Sequence, residues 1–214
     1  MTAIARNDAQ TAERVVVAAV DEGLPVRDAY LQVIQPALYE VGQRWERGEL
    51  SVAQEHLATA TVQALLAHLA GRLRADRDAA AGDRAEAPVP GHAVVACTPG
   101  ELHAVGARFV ADFLEGDGWE VAMLGPSSPT GAVVDLVQTT RPALVALSTT
   151  LPANLGAARA LLQELDKIEP RPFLVAGGSA YAGRGLMAEG WGADAYAADA
   201  ESLRALLHER TTSR

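Results

Sequence analysis

The sequence is short of cysteine and of basic residues, and each shortage excludes a class of protein. Cys97 is the only cysteine in 214 residues, so the chain cannot form an internal disulfide or a cysteine-ligated metal or iron–sulfur centre. Lys and Arg number 18 against 27 Asp and Glu, which gives a formal net charge of −9. Because a nucleic-acid surface needs clustered positive charge, we expect no direct binding of nucleic acid, although contact through a partner protein stays open.

Long apolar runs are also missing. The longest run, Val15–Val20, is far too short to cross a bilayer, and residues 1–10 are polar without the apolar core of a signal peptide. These absences predict a soluble, cytoplasmic protein that does not bind a membrane. Apolar residues nevertheless make up 49% of the chain, which is enough to fill one large core or two smaller ones.

The first part of the chain, residues 1–78, carries helical signals throughout. Its predicted helices follow a cap at Asn7 and Asp8, begin at Pro25, begin at Pro36 and follow a cap at Ser51. The third covers 37–47, and the fourth, which has the capping-box residue Gln54 three positions after Ser51, continues to about Arg74. Four helices with short connections predict an antiparallel bundle.

Strand and helix patterns alternate in the second part of the chain. The predicted strands are 92–97, 119–124, 143–148, 173–176 and 194–198. Helical segments near 104–116, 130–139, 153–166 and 182–189 separate them, and a final helix covers 200–209. Apolar strands that alternate with helices predict a parallel sheet covered on both faces, and five such units fit a flavodoxin-like, Rossmann-like domain.

The segment between the two parts has no apolar period. Residues 75–91 end in Pro-Val-Pro-Gly and predict a linker that starts as the frayed end of a helix. We therefore predict a helical domain over 1–78, a linker over 79–91 and a sheet domain over 92–214.

The loop after the first predicted strand carries a pattern typical of a metal ligand. Residues 101–106 read E-x-H-x-x-G, with Glu101 two residues before His103 and Gly106 three after it. A ligating imidazole usually donates its second N–H to a carboxylate or a carbonyl, and Glu101 is placed to accept that bond. A loop histidine with a chance acidic neighbour is the alternative.

The residues that follow the other predicted strands at the same sheet edge are mostly small or hydroxylic. Ser148 and Thr150 follow the third strand, Gly177 and Gly178 follow the fourth, and Gly125 follows the second. In a doubly wound sheet, ligands bind beyond the carboxyl ends of the strands, and paired glycines let a ligand approach the backbone. The pattern predicts a cofactor slot along this edge with His103 at its mouth.

The motif around His103, the Ser148–Thr150 run and the Gly177–Gly178 pair together resemble the fingerprint of cobalamin-binding domains. That family includes methionine synthase modules, corrinoid proteins of methyltransferase systems, adenosylcobalamin mutases and CarH-type photoreceptors. The resemblance covers the whole chain, because the methionine synthase-like branch also has a four-helix cap before the flavodoxin-like domain. It implies a base-off, His-on mode in which His103 is the lower axial ligand of cobalt. The slot lined by the Ser, Thr and Gly residues would take the displaced nucleotide tail.

The helical region carries a second motif of the same family. Trp45 is followed after nine residues by Glu55 and His56, and this W-x9-EH resembles the cap signature of cobalamin photoreceptors. It implies that the three side chains cover the upper cobalt face and contact an adenosyl group; ordinary core packing and a solvated helix start are the alternative. The DNA-binding photoreceptors tend to have His directly after the tryptophan, where this chain has Glu46. A second cobalt ligand after photolysis would therefore be His56 or water.

Two functions fit these motifs. The first is a light-responsive sensor or regulator that uses adenosylcobalamin, with methylcobalamin and hydroxocobalamin as alternative forms. No helix-turn-helix pattern precedes the bundle, so we expect its output to pass through a protein partner, such as a transcriptional regulator, or through a change of oligomeric state. The second is a corrinoid methyl-carrier subunit of a methyltransferase system. The W-x9-EH side chains favour the sensor, because bulky groups above cobalt hinder methyl transfer. We therefore expect a sensor rather than an enzyme.

Overall fold

The computed structural model describes residues 8–81, 90–183 and 185–212. The chain divides into a helical unit, Met1–Gly82, and a sheet unit, Asp83–Arg214. In the part that the structure describes, no helix is both long and apolar enough to span a membrane.

Capping residues account for several helix ends of the first unit. They are α1 (Ala9–Asp21), α2 (Val26–Asp28), α3 (Gln35–Glu46) and α4 (Val52–Ala81), with a π-helical segment, Ala29–Ile34, between α2 and α3. Asp8 caps α1 by accepting a hydrogen bond from the Thr11 amide at 3.0 Å. Gly48 follows α3 with a φ of +73°, a left-handed conformation that glycine adopts without steric cost. The Ser51 amide donates to Gln54 Oε1 at 2.9 Å and the Gln54 amide donates back to Ser51 Oγ at 3.3 Å, which confirms the predicted capping box.

The second and third predicted helices form one continuous helical run, so the predicted break before Pro36 is wrong. Proline lacks the amide hydrogen of an α-helical turn, and its ring crowds the carbonyl four residues earlier. The chain widens its turn ahead of this proline, and the Gln35 amide donates to the Tyr30 carbonyl five residues before it. The wider turn lets the helix continue through Pro36.

The last helix of this unit is longer than predicted. It continues to Ala81, past the expected end near Arg74 and into the expected linker. Residues 82–89, the rest of that segment, lie outside the described residues, so the linker assigned to 79–91 stays a prediction.

The core of the helical unit is centred on the π-helical segment and α4. Tyr30 and Ile34 of the segment are fully buried, as are Leu66 and Leu69 of α4. The Tyr30 hydroxyl donates to the Leu66 carbonyl at 3.3 Å, so its polar end is satisfied inside the apolar core.

The second unit is a five-stranded parallel sheet covered by helices. Its strands are β1 (His92–Cys97), β2 (Glu120–Met123), β3 (Leu144–Ser148), β4 (Phe173–Gly177) and β5 (Ala195–Ala197), and its helices are α5 (Val105–Gly116), α6 (Thr130–Thr140), α7 (Leu155–Leu165), α8 (Leu186–Glu189) and α9 (Ala200–Thr212). The strand order is β2-β1-β3-β4-β5, and every neighbouring pair is parallel. This is the flavodoxin-like order, and the predicted fold class is confirmed.

One helix of the sheet unit is much shorter than predicted. The sequence predicts a helix over 182–189, whereas α8 covers only Leu186–Glu189 and follows a short 3₁₀ turn, Ser179–Tyr181. Gly183 has a φ of +70°, which a right-handed helix cannot contain, so the helix forms only after it.

Each face of the sheet has its own apolar core. One face packs Val94, Val145 and Leu174 against α6 and α7. The other face packs smaller strand residues, including Val95, Ala146 and Cys97, against α5 and α9. Strand order reverses between β1 and β3, and ligands of doubly wound domains bind at that point beyond the strand ends.

Candidate cofactor-binding site

The loop after β1 presents the imidazole of His103 on a buried carboxylate. Gly100, with a φ of +84°, and a hydrogen bond from the Glu101 amide to the Thr98 carbonyl form the turn. His103 Nδ1 lies 2.5 Å from Glu101 Oε1, and the His103 amide donates to the same oxygen at 3.0 Å. The His103 side chain is 45% exposed while that of Glu101 is fully buried. Because the carboxylate engages Nδ1, Nε2 is the nitrogen that can bind a metal.

The second oxygen of the Glu101 carboxylate is held by the loop after β3. Glu101 Oε2 accepts hydrogen bonds from the Thr150 amide, the Leu151 amide and Asn154 Nδ2, each at 2.9 Å. Burial disfavours the charged form, but these bonds and those from His103 outweigh it and lower the Glu101 pKa to about 2. Glu101 is therefore an anion that can accept a hydrogen bond from Nδ1–H of His103, which leaves the lone pair of Nε2 for a metal.

Asn154 is a member of this site that the sequence analysis did not identify. It lies in a 3₁₀ turn, Pro152–Asn154, that leads into α7. The turn brings its amide group back to the Glu101 carboxylate across about fifty positions of sequence. A polar residue soon after the hydroxylic run at 148–150 was the available signal, although local spacing does not show which residue the turn directs inward.

A row of small residues crosses the sheet at the same edge. The strand register pairs Cys97 with Ser148, Ser148 with Gly177 and Gly177 with Ala197. Since successive strand residues face opposite sides, this row shares the face that packs against Ala107 of α5. Ser148 and Gly177 in the middle of the row are half-buried, so both remain partly accessible at the carboxyl edge.

Gly106 keeps the space next to Ser148 open. A Cβ atom built at Gly106 would have Ser148 Oγ as its nearest neighbour, at 3.8 Å, which is ordinary van der Waals contact. The protein itself therefore does not require glycine at this position in the first turn of α5. A missing side chain beside a hydroxyl, at the edge where ligands bind, leaves a cradle that a Cβ atom would partly fill.

The fold itself also requires the paired glycines, and their predicted role in ligand binding stays a prediction. A Cβ atom at Gly177 would lie 2.6 Å from the Ala197 carbonyl oxygen, and one at Gly178 would lie 2.3 Å from the Thr149 carbonyl oxygen. Gly178 also has a φ of +104°. Close backbone packing thus accounts for both glycines, whether or not a ligand also approaches them.

The residues predicted for the helical unit are partly brought together. Glu55 lies in the first turn of α4, where its Oε2 is 2.5 Å from His56 Nδ1 and its Oε1 accepts a hydrogen bond from Thr59 Oγ1 at 2.7 Å. His56 is 73% exposed. Trp45, at the end of α3, is 42% exposed, so it is not an ordinary core aromatic. Among the described residues, Trp45 has no hydrogen bond or ring contact with the Glu55–His56 pair.

Family comparisons match both units of the chain. Two family models, each described as a B12 binding domain, match residues 1–70 and residues 91–207.

Two curated relatives come from Myxococcus xanthus. The HTH-type transcriptional repressor CarH is 34% identical over 159 residues, which are 73% of this chain and 49% of that protein. The HTH-type transcriptional repressor CarA is 34% identical over 143 residues, 66% of this chain and 44% of that protein. The chain thus spans about half the length of these relatives.

Solved structures with this fold are known. The monomethylamine corrinoid protein of Methanosarcina barkeri superposes with a TM-score of 0.82 at 19% identity, over 97% of this chain and 94% of that one. A cobalamin-binding protein from Desulfitobacterium hafniense superposes with a TM-score of 0.52 at 22% identity, over 97% and 95% of the two chains. At these identities the similarity establishes the fold alone.

Proposed function

This chain belongs to the family of B12 binding domain proteins, and on that premise we propose that it is a light-responsive sensor that uses adenosylcobalamin. Cobalamin is the cofactor of the family. The adenosyl form, the base-off and His-on mode, and the response to light are our proposal. The observation that carries it is the His103 imidazole held by the buried Glu101 anion, 2.5 Å from Nδ1.

In this proposal His103 Nε2 is the lower axial ligand of cobalt. Glu101 fixes the tautomer and the ring orientation, and the contacts from Thr150, Leu151 and Asn154 fix Glu101. Such partners of a ligating histidine typically change metal affinity by roughly 10–100-fold when they are altered.

The slot beside Gly106 is the proposed site of the displaced nucleotide tail. Ser148 supplies a hydroxyl at its centre, and the neighbouring Gly177 supplies no side chain. Thr150, after β3, and Gly178, after β4, form the rim of the slot. The Thr150 carbonyl accepts a hydrogen bond from Ser179 Oγ at 2.9 Å, which connects the loops after these two strands. The row of small side chains fits a flat base entering from the carboxyl edge.

Trp45, Glu55 and His56 are the proposed contacts of the upper face. When bound, adenosylcobalamin supplies a cobalt–carbon bond that light can cleave. Trp45 offers an exposed apolar surface for the adenosyl group, while Glu55 and His56 offer hydrogen-bonding groups for ribose or base. After the adenosyl group leaves, His56 is the candidate second ligand, because Glu46 occupies the position after the tryptophan.

The output of the sensor is proposed to pass through a protein partner or a change of oligomeric state. Both curated relatives are named as transcriptional repressors, so a regulator of transcription is the proposed class of partner. The net charge of −9 supports the absence of direct contact with nucleic acid. Methyl transfer as a corrinoid carrier subunit is the alternative function.

Absorption spectroscopy tests the proposal. Purified protein is reconstituted separately with adenosylcobalamin and methylcobalamin, and spectra are recorded in the dark and after green light. We expect a His-on spectrum that His103→Ala abolishes. Because light also changes the absorption of unbound adenosylcobalamin, the sensor function is tested by a light-dependent change in the size-exclusion profile of the adenosyl complex. The matched control is His68→Ala, which removes another half-exposed histidine from α4. A His103→Ala spectrum identical to wild type would refute the axial ligand, and an adenosyl complex with the same size-exclusion profile in the dark and after light would favour the methyl carrier.

A further inference from the structure

Ser127, in the loop between β2 and α6, has an unusual backbone conformation. Its φ of +55° lies in the left-handed region, which few residues other than glycine, asparagine and aspartate adopt. The side chain is exposed, so core packing does not impose this conformation. Such a conformation persists where the surrounding contacts determine it.

The contacts that hold Ser127 are made with the loop that carries His103. The Ser127 amide donates to the Glu101 carbonyl at 2.8 Å. Its Oγ accepts a hydrogen bond from the Gly100 amide at 3.3 Å. Ser127 therefore binds two consecutive residues of that loop, Gly100 through its hydroxyl and Glu101 through its backbone amide.

These contacts complete a two-sided hold on Glu101. The loop after β3 binds its carboxylate through Thr150, Leu151 and Asn154, whereas Ser127 binds its backbone from the loop after β2. The same carboxylate engages His103 Nδ1. A shift of the Glu101 backbone would move the imidazole with it, and a displacement on the order of 1 Å is enough to impair a ligand or catalytic geometry.

We infer that Ser127 is a positioning residue for the His103 axial ligand, acting through the backbone of Gly100 and Glu101. This inference rests on the proposed His-on binding of cobalamin. Ser127 is not itself a ligand. Its role is to keep the loop in the one conformation that presents Nε2, so its loss shifts the balance between His-on and His-off cofactor.

Two substitutions separate this role from a contribution to stability. Ser127→Gly keeps the amide and relieves the left-handed strain, but it removes the hydroxyl that Gly100 uses. Ser127→Ala also removes the hydroxyl and keeps the strain. The matched control is Ser128→Ala, because Ser128 Oγ donates within its own loop, to the Gly125 carbonyl at 3.1 Å.

The measurement is the His-on fraction of ¹⁵N-histidine-labelled protein loaded with cob(II)alamin, read from its electron paramagnetic resonance spectrum. An axial ¹⁵N imidazole of the protein splits the signal into doublets, whereas the ¹⁴N base of the cofactor itself splits it into triplets. We expect both Ser127 variants to lower the His-on to His-off ratio by roughly 2- to 10-fold, the effect of losing one hydrogen bond. Ser128→Ala should keep the wild-type ratio. The melting temperature of the apo protein should be unchanged or raised in Ser127→Gly, and exchange of the Gly100 amide proton should accelerate.

The outcomes distinguish this inference from the proposed function. If wild type shows only triplets, or if His103→Ala keeps the doublets, His-on binding through His103 is wrong. If His103→Ala loses the doublets but Ser127→Gly keeps the wild-type ratio, only the positioning role is wrong. An equal loss in Ser127→Gly and Ser128→Ala would also overturn it, because the effect would then belong to the loop as a whole. Should Ser127→Ala fail to fold, Ser127→Gly alone decides.

Discussion

At the level of single residues, the Glu101 carboxylate is the point where separate loops meet. It lies after β1, and its partners Thr150, Leu151 and Asn154 follow β3. Full burial would ordinarily make a carboxylate costly. Here each oxygen accepts several hydrogen bonds, so the charged form is the stable one and the loop conformation depends on that charge.

This dependence predicts a pH effect on the stability of the apo protein. The folded pKa of Glu101 is lowered from 4.5 to about 2, so its stabilising effect is fully present above the unfolded pKa and is lost as pH falls through the folded pKa. At about 1.4 kcal/mol per pKa unit, up to about 3 kcal/mol of unfolding free energy should disappear between about pH 5 and pH 2. Glu101→Gln should be destabilised near pH 7 and should show a smaller acid-side loss than wild type.

Urea unfolding of the apo protein across this pH range measures the effect. Glu120→Gln, which alters an exposed carboxyl group at the start of β2, is the control and should follow the wild-type profile. A Glu101→Gln profile parallel to wild type would show that the charge does not stabilise the loop.

Gly106 gives a second prediction at this scale, because the fold does not need glycine there. Gly106→Ala should stabilise the apo protein by up to about 1 kcal/mol, since alanine is the better helix former. The same substitution should weaken cobalamin binding by roughly tenfold or more, because the added methyl group enters the proposed tail slot beside Ser148. Thermal melting and equilibrium titration with cobalamin measure the two effects.

The control for Gly106 is another exposed helical glycine in the same unit. Gly131 lies in the first turn of α6, and a Cβ atom there would meet nothing within 4 Å. Gly131→Ala should share the gain in stability without the loss of affinity. Equal affinities for the two variants would mean that the slot beside Gly106 does not hold the tail.

The contact between Glu101 and His103 could be predicted from the sequence, but the residues that hold their loop in place could not. Glu101 and His103 are two positions apart, so their contact is local and spacing predicts it. Asn154 and Ser127 reach the same loop from other strands, and their roles depend on a 3₁₀ turn and on a left-handed φ of +55°. Local spacing does not show that the 3₁₀ turn directs Asn154 toward Glu101. The left-handed φ at Ser127 has no sequence signal either, because serine rarely adopts it.

At the level of secondary structure, the periodic signals predicted the elements and the turn residues predicted most of their ends. The apolar runs predicted the five strands and their alternation with helices, which agrees with the parallel sheet of the structure. The exceptions depend on competition between neighbours. Pro36 is compatible with a helix start, yet the chain forms one continuous run with a π-helical turn, in which Tyr30 and Ile34 are buried and the Tyr30 hydroxyl donates to the Leu66 carbonyl of α4.

The α3–α4 connection is the element that gives the cap its proposed function. Gly48 and the Ser51 capping box set Trp45 and the Glu55–His56 pair on either side of one short turn. In the first turns of α4, Val52 and Leu57 are 54% and 57% exposed. With Trp45, these exposed apolar side chains are available for the proposed contact with an adenosyl group.

The cap prediction concerns the choice of upper ligand. Trp45→Ala and Glu55→Ala should each lower the preference for adenosylcobalamin over methylcobalamin, by roughly 3- to 10-fold if each loses one aromatic or hydrogen-bonded contact. Tyr39→Ala, which removes a 60% exposed aromatic from the same helix α3, should keep the wild-type preference. Competition titrations with the two cobalamins measure it. Unchanged preference in both cap variants would mean that the W-x9-EH residues only support the bundle.

At the level of the whole molecule, each of the two units has its own match to a B12 binding domain model, residues 1–70 and residues 91–207. The lower-ligand residues belong to the sheet unit and the proposed upper contacts belong to the helical unit. A ligand shifts a conformational equilibrium only through contacts that differ between the two states. In the proposed sensor those contacts are the ones that Trp45, Glu55 and His56 make with the adenosyl group.

The final prediction is that light changes the arrangement of the two units or the oligomeric state. Cleavage removes the adenosyl contacts in one step, so the bundle loses the interactions that favour its dark position. With Glu46 after the tryptophan, binding of His56 or water to cobalt should give a photoproduct that reverts more readily than a bis-histidine adduct through that position.

Small-angle scattering and size-exclusion chromatography of adenosylcobalamin-loaded protein should give different profiles before and after illumination. Methylcobalamin-loaded protein that is kept dark throughout provides the unswitched reference. Identical profiles for the dark and illuminated adenosyl complex, with identical protease cleavage between residues 79 and 91, would make the methyl carrier the better description of this protein.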